Sequence, residues 1–289
     1  MFDLLRSDIF QNAFVGGTIV AIVAALVGYF LVLRSQAFAC EALTDISFAG
    51  ATGAILLGMS SIFGMIAFAF FSALGLGALG ERARGRDVEI GMILSFALGL
   101  GVLFLSMFAH HSAGHANVGV NILFGSIVSV NRNDIYLVLG CGVIVLMVLA
   151  LIFRPLLFVS VDPIVAEARG VPVRFLSFVF LLMLAITTAA CVLVVGVLLV
   201  AALLIAPAAA AVNFTHQPRH SLFLAVLLGS FITWAGLILA FLGTWHHLPA
   251  GFYISTLAAL IYFISVLARR KQVRRPTEPL HPCSEICGK

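Results

Sequence analysis

Arg34-Ser-Gln-Ala-Phe-Ala-Cys-Glu-Ala-Leu-Thr-Asp-Ile-Ser-Phe-Ala-Gly50 reads as a membrane-embedded stretch interrupted by two carboxylates, Glu41 and Asp45, four residues apart. An acidic side chain at mid-bilayer costs roughly 2.5–3.5 kcal/mol on insertion scales, and two on one helical face repel each other unless a proton or cation lies between them. The first reading is therefore a cation pathway. A helix that begins near Arg34 rises about 1.5 Å per residue, which carries Glu41 roughly 10 Å and Asp45 roughly 16 Å into the membrane on one side. Carboxylate oxygens are hard ligands that suit manganese, iron(II), magnesium or calcium, whereas zinc also favours nitrogen and sulfur. The plainer alternative is a protonated, hydrogen-bonded pair, or one acid reaching toward an arginine at the membrane edge.

The rest of the chain supports the membrane reading. Its 289 residues are 62% hydrophobic and 10% charged, with a mean hydropathy of +1.18, outside the range of a soluble globular domain. Apolar runs of about 17–25 residues match the length a helix needs to cross the hydrocarbon and lack the alternation of an outer-membrane barrel. The fold class is an all-α, polytopic helical bundle of eight to nine crossings. Spans are expected near 13–33, 38–57, 62–80, 90–108, 135–153, 175–195, 196–214, 221–243 and 251–268, with a break at Gly196 dividing one long apolar run. The segment 117–131 is too short to cross and is expected to lie in the interface or dip into it. Asp3 and Asp8 stand where a signal peptide would be basic, so no cleavable leader is expected. Residues 1–270 form one membrane domain without internal repeat, and 271–289 form a basic, proline-containing, flexible cytosolic tail.

Nine crossings with the C-terminus inside place 14 of the 16 basic residues on the inner side, leaving only Arg6 and Arg132 outside. The positive-inside rule explains the net charge of +4 better than nucleic-acid binding does. Cys40, Cys141 and Cys191 fall in apolar runs as small hydrophobes, so no disulfide framework is expected.

Other signals are weighed against plainer readings. His110, His111 and His115 follow the fourth span, and His246 and His247 precede the last, all on the outer side. His111 and His115 have the spacing to share a divalent metal, although Gly114 weakens the helix this needs; boundary polarity is the alternative. Gly75-Leu-Gly-Ala-Leu-Gly80 fits a dinucleotide fingerprint but lacks the preceding strand. Its glycines are read as helix-packing residues, as are Gly50, Gly53 and Gly58. No Walker A loop is present, so ATP is not bound in that way by this chain. Between Arg154 and Arg174, Asp162 before Pro163 is an N-cap with proline at N1, and Gly170 with Pro172 is a stop. A two-turn surface helix carrying Glu167 and Arg169 is expected there, suited to docking a soluble partner or serving as a connector. In the tail, His281, Cys283 and Cys287 match no standard zinc module.

Four stretches taken together resemble the membrane permease subunits of bacterial ABC importers for zinc, manganese and iron(II). They are Leu33-Arg34 through Glu41-Ala-Leu-Thr-Asp45 to Gly50; Asn121-Ile-Leu-Phe-Gly-Ser-Ile; Asp162 through Gly170-Val-Pro172-Val; and Gly196-Val-Leu-Leu-Val-Ala-Ala-Leu-Leu-Ile-Ala-Pro207-Ala-Ala-Ala. The resemblance implies the ABC importer permease fold, a homodimer or a pair of similar permeases, two cytosolic ATPases, and an extracytoplasmic metal-binding protein that delivers the ion. It places the chain in the bacterial cytoplasmic membrane, with no permanently bound cofactor and no chemistry of its own. Glu41 and Asp45 then fall on metal-contacting positions, and Asp162, Pro163, Glu167, Arg169 and Gly170 on the helix that couples to the ATPase. Members commonly carry histidine at the second acidic position. Asp45 in its place shifts the expectation from zinc toward manganese or iron(II).

Two rivals stand beside this reading. An intramembrane metalloenzyme needs about three protein ligands at one depth, but the histidines lie at the outer boundary and the acids toward the inner half. A secondary transporter driven by an ion gradient can also use an acidic pair, but such proteins often show two related halves, which this sequence lacks.

Overall fold

The structure, a computed structural model, describes residues 8–78, 86–111, 132–215, 217–242 and 250–273. Among these residues there are ten helices and no strand. They are α1 (Asp8–Leu33), α2 (Ala37–Leu56), α3 (Ser61–Ala78), α4 (Arg86–His111), α5 (Arg132–Val161), the short α6 (Pro163–Ala168), α7 (Val173–Val195), α8 (Val197–Phe214), α9 (Pro218–Leu242) and α10 (Ala250–Val273). Seven of the nine long helices are long and apolar enough to cross a membrane. The exceptions are α2, diluted by its acids and small polar residues, and α3, whose apolar run Ser61–Gly77 is slightly short. Seven spans with two interleaved partners match an eight-to-nine-crossing bundle. The last helix continues to Val273, past the expected boundary at residue 270. The expected interfacial segment 117–131 and tail residues 274–289 lie outside the described residues.

The bundle is organised around α1 and α7, its most buried spans. α1 packs on α5, α7, α8 and α9, while α7 touches α1, α2, α3, α5 and α8. α2 is wedged between α3 and α4, with α7 and α8 behind it, and makes little contact with α1 despite the short link. α10 closes the far side against α8 and α9. Large apolar side chains remain exposed on the outer helices, among them Phe96, Leu151, Phe223 and Phe263. In water such a surface would be an aggregation hazard; in a bilayer it meets lipid.

Close helix approach rests on missing side chains. A Cβ at Gly28 would stand 2.0 Å from the Leu204 carbonyl oxygen, so α1 and α8 meet backbone to backbone. Between α2 and α3 the contact is reciprocal: a Cβ at Gly50 would lie 2.5 Å from the Gly64 oxygen, and one at Gly64 2.2 Å from the Gly50 oxygen. Such approaches add dispersion contacts where lipid removes the hydrophobic drive for helix association. Gly53 and Gly77 face Phe104 and Phe178 as expected of packing glycines, whereas Gly75 meets nothing within 4 Å. Gly58 differs from its expected role: nothing approaches it, and its φ of +72° closes α2 as a turn residue.

The helix ends follow from local hydrogen bonding. α1 finishes in a Schellman closure, with Gln36 N–H donating to the Leu31 carbonyl and Ser35 N–H to the Val32 carbonyl. Ser35 takes φ +52° there, the left-handed position that glycine occupies at the ends of α2 and α6. α7 and α8 are separated by Gly196 alone, at φ 89° and ψ 159°, a region open essentially only to glycine. This one residue reverses the chain between two spans.

Candidate functional site

Because α1 ends in a tight closure, α2 starts at Ala37 rather than near Arg34. From that start Glu41 lies about 6 Å and Asp45 about 12 Å along the helix at 1.5 Å per residue. The two acids sit on one side but differ in environment. Glu41 is exposed on the surface of the single chain, whereas Asp45 is buried, 5% exposed. The neighbouring hydroxyls turn back on their own helix: Thr44 Oγ1 donates to the Cys40 carbonyl at 2.8 Å and Ser47 Oγ to the Leu43 carbonyl at 2.7 Å. Among the described residues no side chain hydrogen-bonds or ion-pairs with either carboxylate. A buried acid without a protein partner is costly, and an incoming cation or a bound proton is what offsets the cost.

Arg34 does not serve those acids. Its Nη2 donates to Ser177 Oγ on α7, and its guanidinium lies over the Phe180 ring, 5.3 Å from the centroid. Ser177 and Phe180 are three residues apart on one face of α7, so Arg34 clasps that helix along one turn. The sequence offered only a basic residue at a membrane edge; its partner, 143 residues away, had no local signal.

The helix α6 lies at the same end of the bundle. Asp162 takes an extended backbone, φ −145° and ψ 92°, and its Oδ1 accepts the Val165 N–H at 3.0 Å, with Pro163 at the first helical position. Gly170, at φ +79°, closes the far end: its N–H donates to the Glu167 carbonyl, and Val171 N–H to the Ala166 carbonyl. Arg169 lies over the Phe158 ring at 5.9 Å, and Ala166 is fully buried against the bundle. Glu167 and Arg169 are exposed. Val161, Ile164 and Val165 also stand out, with Ile164 80% exposed, which no feature of the sequence marks. An apolar triplet on a short capped helix cannot by itself be told from a core contact.

The histidines are not brought to the acids. α2 and α4 run in the same direction, so His110, exposed near the end of α4, lies at the opposite end from Glu41. The side chains of His111, His115, His246 and His247 lie outside the described residues. Among the described residues no group of three or more His, Cys, Asp or Glu is close enough to hold a metal. Among those residues Glu41 and Asp45 have no third ligand of these types beside them.

The ABC 3 transport family matches residues 6–269. The manganese transport system membrane protein MntC of Halalkalibacterium halodurans is 31% identical over 290 aligned positions, covering 96% of each chain. The manganese import system permease protein ScaB of Streptococcus gordonii is 29% identical, covering 91% of this chain and 92% of its own. Among solved structures, PsaBC from Streptococcus pneumoniae in complex with a Fab superposes with a TM-score of 0.80 at 27% identity, over 94% of this chain and 96% of that one. An inward-facing ABC transporter of the metal-chelate type shares the fold at a TM-score of 0.71 and 20% identity, over 89% of this chain and 85% of that one. The chain belongs to the ABC 3 transport family.

Proposed function

We propose that this member of the ABC 3 transport family is the membrane permease of an ATP-driven importer carrying a divalent metal ion, manganese first, with zinc and iron(II) as the other candidates. The observation that carries the reading is the pair Glu41 and Asp45, held in a membrane bundle with no side-chain partner among the described residues. Two negative charges match one divalent ion, and an all-oxygen donor pair favours manganese over zinc. Relatives named for manganese transport along their whole length support the same choice. The metal is cargo here, and the permease performs no bond chemistry.

The exposure of Glu41 supports a second permease copy. A carboxylate turned toward hydrocarbon is costly, so a like subunit laid against this face, with water and the ion between, gives the acids a solvated conduit. The partner copy and water then complete the coordination shell that two acids leave open. On this reading α6, with exposed Ile164 and Val165 beside Glu167 and Arg169, enters a groove of a separate cytosolic ATPase. A metal-binding protein delivers the ion from outside. Residues 1–270 make the transport domain, and the basic segment after it lies in the cytosol by the positive-inside rule.

The test is reconstitution of the permease with its ATPase and binding protein in liposomes. Uptake is expected to require ATP, with manganese giving the largest stimulation of hydrolysis and zinc and iron(II) less. Uptake through the permease alone, driven by a pH gradient, would instead establish a secondary transporter.

A further inference from the structure

The junction between α1 and α2 is the point where the two functional regions come within one side chain of each other. α6 is joined to α7 by four residues, and the join is stiff: Gly170 and Val171 N–H groups bond back into α6, Pro172 precedes the first residue of α7, and Leu176 N–H donates to the Pro172 carbonyl. One residue beyond Leu176 is Ser177, and one turn further is Phe180, the two groups that Arg34 holds. Arg34 in turn stands directly before the closure that starts α2, with Gln36 accepting the Cys40 N–H at the first turn of the acidic helix. α1 fixes that start only through its closing turn, where Gln36 N–H donates to the Leu31 carbonyl; along their lengths α1 and α2 hardly touch, so the lateral placement of the start falls to Arg34.

We propose that Arg34 is a positioning residue that transmits displacement of α6 and the base of α7 to the start of α2, and so to Glu41 and Asp45. This inference rests on the reading that α6 engages an ATPase. The chemistry of the clasp suits the task. A guanidinium that donates to a hydroxyl and also lies over an aromatic ring is held at two points on one helix, which an ammonium on a flexible stem reproduces poorly. The charge is also partly removed from water, so letting go of α7 is costly and the two elements move together. Direct packing of α2 on α7 continues above this point; Arg34 governs the end nearest α6.

The experiment uses the full complex in liposomes and reads metal taken up per ATP hydrolysed, beside the thermal stability of the purified complex. Arg34→Gln is expected to lower the uptake-to-hydrolysis ratio about tenfold with hydrolysis largely retained. Arg34→Lys is expected to fall between Gln and wild type. Ser177→Ala and Phe180→Leu, which leave the arginine in place, are expected to lower the ratio about threefold each. If Arg34→Gln proves unstable, Ser177→Ala decides, since it removes one hydroxyl only. Uptake and hydrolysis falling in parallel at an unchanged ratio in Ser177→Ala and Phe180→Leu would overturn the proposal. Ile164→Asp separates it from the reading beneath it. An Ile164→Asp complex that still couples normally removes docking by α6, whereas loss of coupling there with normal ratios in the Arg34 and Ser177 variants removes only the role of Arg34.

Discussion

Asp45 and Asp162 are the same residue type, one in the third turn of α2 and the other at the cap of α6, and their treatment is opposite. Asp162 spends its carboxylate on the Val165 N–H and so completes the backbone of α6. Asp45 is buried, and the hydroxyls beside it bond to their own helix instead. An acid that satisfies its own backbone is part of the architecture. One that has no side-chain partner among the described residues inside an apolar bundle is costly unless a proton or a cation offsets its charge.

The largest effects should come from the unpaired acids. Asp45→Asn and Glu41→Gln keep shape and remove charge, and each is expected to lower metal uptake about a hundredfold while membrane insertion is kept and thermal stability stays the same or rises. Wild-type uptake in both variants would erase the contrast with Asp162. Next, Gly170→Pro imposes a negative φ where the backbone holds +79° and deletes the N–H that closes α6, so hydrolysis should continue while uptake falls about tenfold or more. Asp162→Ala removes the cap at a cost of about 1 kcal/mol to α6, and uptake should drop roughly fivefold, with Asp162→Asn restoring most of it. A loss as deep as that of Asp45→Asn would make Asp162 more than a cap. The smallest change is Ser35→Gly, which relieves about 1 kcal/mol of left-handed strain and should raise the unfolding temperature without altering uptake.

Much of this was readable in the chain before any coordinates. Helix ends written in local chemistry were legible: the Asp162-Pro163 start, the Gly170 stop and the Gly196 break all stand where capping and backbone rules place them. What stayed hidden depended on which side of a helix faces what. A span apolar on every side carries no periodic signal to name its neighbours, so nothing local distinguished exposed Glu41 from buried Asp45. Gly58 shows the same ambiguity in reverse: packing and turn glycines look alike until the neighbouring helix is in place.

The chain by itself determined that this is a helical membrane protein, roughly where its long apolar helices run, and that two acids sit within one of them. Hydropathy, capping and backbone sterics act over a few residues and need no partner. Only the tertiary structure decided that α1 and α7 form the centre, that Asp45 turns inward and Glu41 outward, and that Arg34 closes on Ser177 and Phe180. Those outcomes come from packing and hydrogen bonds between residues far apart in the chain, made only when the helices meet.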